Sequence, residues 1–202
     1  MLNKSDRTGD FLALLFRQRD IKRWGLLRNV CSETLSEHCF EVALMSHMLA
    51  IIGNKYFGKK YDTNKLATAS LYHDMSEILT GDLPTPVKYY NDDIKTAYKK
   101  IEKTAENIIF ELLPDEIQGE YKSLVSISDE EKRIVKAADK LCAYIKCLDE
   151  LSAGNREFVS AERTIKSQID ELDLPEAKFF ADNYLSSFTK PLDDITLGGA
   201  DE

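Results

Sequence analysis

The chain has 202 residues, 43% of them hydrophobic and 31% charged, which is enough for one well-buried domain and too little for a second full one. Its formal net charge of −8 argues against a long nucleic-acid duplex as partner, since phosphate contacts need a basic stripe, but leaves room for one small phosphate held by one or two cations. No signal-like N-terminus or membrane span is read, and Cys31, Cys39, Cys142 and Cys147 form no Cys-x-x-Cys pair, so a soluble cytoplasmic chain with reduced cysteines is expected.

Taken in order, almost every segment has helical periodicity and none sustains a period of two, which predicts one all-α domain without repeats or linkers. A first helix is expected over about 9–19, with Phe11, Leu14 and Leu15 inward. A polar link from Arg17 to Arg23 leads to the lone Trp24 and an irregular stretch through Cys31. Thr34 and Glu37 form a capping box ahead of a helix on which His38, Val42, Met45, Leu49 and Ile52 recur at helical spacing, and Gly53-Asn54 reads as its stop. Asp62 or Thr63 caps the next helix, expected to carry Leu66, Ser70, His73 and Glu77 along one stripe until Gly81, free to take positive φ, ends it. Pro84 and Pro86 then stiffen the exit.

From Asn91 to about Leu113 the pattern predicts a long amphipathic helix with Ile94, Tyr98, Ile101, Ala105, Ile108 and Leu112 inward, broken by Pro114. A short helix over 115–125 follows. Ser128 and Glu131 make a second capping box, opening a helix through Ser152 with Ile134, Leu141, Ile145, Leu148 and Leu151 inward, and Gly154-Asn155 ends it. Helices over roughly 156–170 and 175–187 complete a core of about 9–188. Residues 189–202 are expected to form a loose tail.

Chemistry concentrates between Leu71 and Lys88. On a helix His73 and Glu77 are i, i+4 neighbours and Asp74 lies i, i+3 from Glu77, so the three face broadly one way, with Asp82 just beyond. The chain has only three histidines. His38 begins one helix and His73 ends the next, whereas His47 falls on the opposite face from His38 and is left out of the site. Asp139 sits close to the apolar face of its helix, where a carboxylate must be paired or bound to a cation. A salt bridge to a lysine or arginine accounts for Asp139 alone; together with His38, His73 and Asp74 the balance moves to a metal.

In order and spacing, this His–His-Asp–Asp set resembles the HD-domain superfamily of metal-dependent phosphohydrolases. The longer stretches Ile21-Lys-Arg-Trp24, Ser36-Glu-His38, Tyr72-His-Asp-x-Ser-Glu77, Thr80-Gly-Asp-Leu-Pro-Thr-Pro-Val-Lys88 and Ala137-x-Asp-x-Leu-Cys-Ala-Tyr-x-Lys-Cys147 together resemble the bacterial 5′-deoxynucleotidase family within it, from about Phe11 to Phe188. The resemblance implies a single HD-domain helical bundle that hydrolyses deoxyribonucleoside 5′-monophosphates, with His38, His73, Asp74 and Asp139 holding one divalent ion. Two imidazoles and two carboxylates suit Co²⁺, Mn²⁺ or a similar ion, and open positions for water and a phosphate oxygen favour an octahedral ion over tetrahedral Zn²⁺.

By the same resemblance Glu77 is the candidate general base and Arg23 orients the phosphate. Trp24 lies against the sugar or, equally, anchors the core. Asp82 reaches the 3′-hydroxyl, and Thr85, Pro86, Val87 and Lys88 shape the pocket, with Lys88 a second cation. His38 and Asp139 would touch substrate as well as the ion. A homodimer is implied, without nucleic-acid polymer or membrane as partner. The rivals are another HD enzyme, such as a triphosphohydrolase or cyclic-nucleotide phosphodiesterase, and a non-catalytic nucleotide-sensing module.

Overall fold

The computed structural model describes residues 9–88 and 90–196, with only the backbone of Thr85. Among these residues there is no strand. The helices are α1 (Asp10–Leu15), α2 (Leu35–Tyr56), α3 (Thr63–Leu71), α4 (Glu77–Thr80), α5 (Thr85–Lys88), α6 (Asp92–Phe110), α7 (Asp115–Val125), α8 (Asp129–Ser152), α9 (Val159–Asp170), α10 (Pro175–Tyr184) and α11 (Leu192–Thr196). Short 3-10 segments follow α1 and α10 and precede α9.

The main core is made by α2, α3, α8 and α10, which bring together Val42, Leu49, Leu66, Ile134, Leu141 and Phe180. Each such leucine stabilises the fold by about 1.5–3 kcal/mol on leaving water. A smaller cluster of Phe11, Met75, Ile109, Phe110 and Leu113 ties α1 and α6 to the turn after α3. Both predicted capping boxes are present, at Thr34 with Glu37 and at Ser128 with Glu131, and Asp62 and Asn91 cap α3 and α6. These caps fix where the two longest buried helices begin, and so where His38 and Asp139 fall along them.

The structure corrects four expectations. The helix starting at Thr63 stops at Leu71, and residues 72–76 form successive turns before α4 begins at Glu77. In a continued helix the Ser70 carbonyl would accept from the amide of residue 74; instead it accepts the His73 ring Nδ1–H at 2.8 Å. Gly53-Asn54 does not stop α2, which continues to Tyr56. A Cβ at Gly53 would lie 2.6 Å from a ring carbon of Tyr61 and 2.9 Å from Glu176, so this glycine serves close packing, and Asn54 pairs with the backbone of Tyr61.

On α6 the buried residues are Tyr98, Ala105, Ile109 and Phe110, whereas Ile94, Ile101 and Ile108 are exposed. The apolar stripe is wider than the surface it meets, and its outer edge is left in solvent. Lastly, α2 is long and apolar enough, by length and composition, to cross a membrane, which the sequence reading had not found. It packs against α3, α8 and α10 as the central helix of the core. At the other end, α11 carries no buried residue, and residues 197–202 of the expected tail lie outside the described residues.

Candidate active site

The four predicted ligands come from three places. His38 stands in the first turns of α2, Asp139 halfway along α8, and His73 and Asp74 in the turn that replaces the end of α3. On a regular helix consecutive side chains diverge by about 100°, so adjacent residues do not face one another. The turn removes that restriction, and His73 Nε2 lies 3.0 Å from Asp74 Oδ2. His38 Nε2 lies 3.0 Å from Asp139 Oδ1 and 3.9 Å from Asp74 Oδ2. Donor atoms of His38, His73 and Asp74 all lie within 4.8 Å of one another, with Asp139 joined through His38.

The donor set fits a cation. His73 gives its Nδ1–H to the Ser70 carbonyl, which leaves the Nε2 lone pair facing the Asp74 carboxylate. His38 turns Nδ1 toward Glu33 at 3.3 Å, which leaves its Nε2 facing Asp139 and Asp74. Each imidazole Nε2 lies 3.0 Å from a carboxylate oxygen, and something positive, a proton or a cation, has to sit between them. His73 Nε2 is buried and lies beside Asp74 without a formed hydrogen bond. Burial works against charge throughout, yet Asp74 raises the pKa of His73, and His73, His38 and Arg23 lower that of Asp74. A divalent ion can replace the proton and satisfy all four groups.

Arg23 lies among Glu33, Asp139, Asp74 and Asp82, whose charges outweigh burial and raise its pKa. Its Nη1 is 3.7 Å from Asp74 Oδ2. Asp82, raised by burial, is drawn back by Arg23 and by the backbone N–H of Trp24. Trp24 is half-buried, takes a left-handed φ of +59°, packs on Phe158 at 5.3 Å between ring centres, and donates its Nε1–H to Glu33 Oε2 at 2.5 Å. Its ring is thus partly a core anchor and partly open. A left-handed non-glycine residue costs about 1–2 kcal/mol and persists only where its surroundings hold it.

Glu77 opens α4, is 5% exposed, and has one oxygen unpartnered. Burial, then Asp74 and Asp82, push its pKa up to about 8, against the pull of Arg23 and Lys88. Lys88 does not stand free: its Nζ pairs with Glu102 at 2.6 Å and lies over the Tyr98 ring. Pro86 and Val87 are exposed on α5, and the Thr85 side chain lies outside the described structure. His47 is part-buried further along α2 and stands apart from the ligands.

Two residues escaped the sequence reading. Glu33, just before the α2 cap, touches His38, Trp24 and Arg23. Glu150 on α8 is fully buried, is held down at about 2 despite its burial by Lys146 and by backbone N–H groups of Val30 and Cys31, and so pins the 24–33 loop to α8. The only hint of Glu33 was an acid beside a cap, opposite a tryptophan whose N–H needs an acceptor.

An all-α bundle with this ligand set defines an HD-type phosphohydrolase. Solved structures similar in fold include an HD-domain phosphohydrolase of Listeria innocua, with a TM-score of 0.78 at 20% identity over 94% of this chain and 95% of that one. Another is the cyanophage S-2L HD phosphohydrolase DatZ, solved with dA and one catalytic Zn²⁺ ion, with a TM-score of 0.65 at 19% identity over 87% and 96%.

The sequence comparison is narrower. Residues 10–188 match the model of YfbR-like 5′-deoxynucleotidases. A 5′-deoxynucleotidase of Vibrio vulnificus is 47% identical over 92% of this chain and 97% of its own, and one of Yersinia pseudotuberculosis 45% over 95% and 98%. The chain belongs to the YfbR-like 5′-deoxynucleotidase family, whose enzymes are phosphoric monoester hydrolases.

Proposed function

We propose that the chain hydrolyses deoxyribonucleoside 5′-monophosphates to deoxynucleosides and phosphate, using one divalent ion at His38, His73, Asp74 and Asp139. The observation that carries the reading is the convergence of His38, His73, Asp74 and Asp139 beside Arg23. When bound, the ion supplies Lewis-acid polarisation of the phosphoryl group and acidifies water. Arg23 holds the phosphate with its guanidinium fork. Glu77 takes a proton from the attacking water as the new P–O bond forms, and the bond from phosphorus to O5′ breaks with that proton passing from Glu77 to O5′ to give the deoxynucleoside alcohol. Asp82 accepts from the 3′-hydroxyl, and the open part of Trp24 lies along C2′, where a ribose hydroxyl would find no partner.

Lys88 is a second cation already committed to Glu102, so a monoester suits the site better than a triphosphate. Among the available ions, Co²⁺ and Mn²⁺ fit the donor types. A homodimer and a cytoplasmic location belong to the same proposal; exposed Ile94, Ile101 and Ile108 at seven-residue spacing on α6 support the first, and four free cysteines the second.

The test is phosphate release from dAMP, AMP, dATP and cyclic AMP by purified protein with Co²⁺ or Mn²⁺. A buried unpaired hydroxyl costs on the order of 1–3 kcal/mol, so dAMP should exceed AMP in kcat/KM by roughly 10- to 100-fold, with little release from the other two. Equal rates on dAMP and AMP would remove the deoxynucleotide reading.

A further inference from the structure

Glu33 has no part in the reaction as written, yet three working side chains share its buried carboxylate. Oε1 lies 3.3 Å from Nδ1 of His38. Oε2 accepts from Nε1 of Trp24 at 2.5 Å and lies 3.6 Å from Nε of Arg23. We propose that Glu33 is the positioning residue that holds His38, Arg23 and Trp24 in one register, so that ion affinity and rejection of a 2′-hydroxyl depend on the same carboxylate. This rests on the ligand and substrate roles given above.

The chemistry of the three neighbours requires an acid. Trp24 donates its Nε1–H to the carboxylate, while Arg23 Nε and His38 Nδ1 face it without a formed hydrogen bond, and an ionised carboxylate is acceptor-only, with lone pairs for each. A neutral amide would set its own N–H₂ against one of those donors. For His38 an ionised Glu33 facing Nδ1 favours the tautomer that turns the Nε2 lone pair, now 3.0 Å from Asp139 Oδ1, toward an ion, and makes the imidazole a stronger ligand.

The backbone is built to keep Glu33 in place. Lys22 and Thr34 form an antiparallel bridge, the Arg23 amide donates to the Glu33 carbonyl at 3.0 Å, and the Leu35 amide donates to Ile21 at 2.9 Å. Residues 23 and 33 are thereby held across from one another. The α2 capping box follows immediately, and Glu150 secures the loop between them from the far side. Trp24 supplies an independent sign: its left-handed backbone persists only where its surroundings hold it, and its side-chain bond to Glu33 is one of those contacts, beside the Leu27 amide and Asn29 Nδ2 at its carbonyl.

Trp24 is the only tryptophan in the chain, so its emission reports on this contact. The full chain, stripped of metal, is titrated with Co²⁺ by calorimetry and by fluorescence, as wild type, Glu33→Gln and His38→Ala. Glu33→Gln should fold, bind Co²⁺ roughly 10- to 100-fold more weakly, and lose the metal-induced change in Trp24 emission. At saturating Co²⁺ its dAMP to AMP ratio in kcat/KM should also fall, which a merely structural loss would not cause. If Glu33→Gln does not fold, Glu33→Asp, which retracts the charge by one methylene, carries the same expectations. Unchanged affinity and ratio in a folded variant overturn the inference. His38→Ala separates the two claims: if it loses the ion while Glu33→Gln keeps it, the Glu33 inference alone falls. If His38→Ala keeps the ion too, the ligand assignment falls and takes the inference with it.

Discussion

Glu77, the general base of the proposed reaction, shows how the site sets one residue's task. To accept a proton it must be ionised, but burial and the charges of Asp74 and Asp82 hold the proton on to about pH 8. A divalent ion among the histidines joins Arg23 and Lys88 in pulling that value down. The sign follows directly: the base works deprotonated, so a raised pKa moves the acid limb of the rate to higher pH. With dAMP, kcat/KM should rise by about tenfold per pH unit below that pKa, at values above the ordinary glutamate range. Glu77→Gln keeps size and burial while removing the base, and kcat should drop by roughly 10²- to 10⁴-fold with Co²⁺ still bound in calorimetry. Near-normal turnover in that variant would send the search for the base to Asp82.

At the scale of elements, glycines in two helices give opposite expectations. Gly53 lies inside α2 against Tyr61 and Glu176, themselves joined by a 3.2 Å hydrogen bond. Alanine there gains about 1 kcal/mol of helix propensity but has to displace a buried ring, an overpacking cost of about 1–3 kcal/mol. Gly119 in α7 has nothing within 4 Å of a Cβ, so the same change keeps its gain. Urea unfolding should show Gly53→Ala destabilised and Gly119→Ala stabilised by about 0.5–1 kcal/mol. A stabilised Gly53→Ala would mean that α2 is not packed as described. The two glycines also mark a limit of sequence reading: punctuation and close packing both call for glycine, and only the neighbours tell them apart.

For the whole molecule, the long helices and most of their starts were legible because caps are local chemistry: Thr34 with Glu37, Ser128 with Glu131, Asp62 and Asn91 each satisfy amides within three residues, whereas the short α4, α5 and α11 were not. The convergence of His38, His73, Asp74 and Asp139 was legible because histidines are scarce and a carboxylate on an apolar face needs a partner. The turn at 72–76 was not, since no breaker stands between Ser70 and Gly81. The break comes from His73 capturing the Ser70 carbonyl, while the Ser70 hydroxyl bonds Ser46 on α2. Nor could periodicity tell which edge of the α6 stripe finds a partner, and so Ile94, Ile101 and Ile108 were placed inward. Glu33 and Glu150 were missed for a related reason: their partners lie on other elements, and nothing local marks them.

The central claim is that three elements converge on one divalent ion and that phosphate release depends on it. The direct measurement is phosphate release from dAMP by chelator-stripped protein as Co²⁺ is added back, with bound metal counted in the same samples. Activity should be absent without metal and reach its plateau as binding reaches one ion per chain, and His73→Ala should neither bind nor turn over. Turnover that survives stripping, or that appears only with a second ion per chain, would contradict the account.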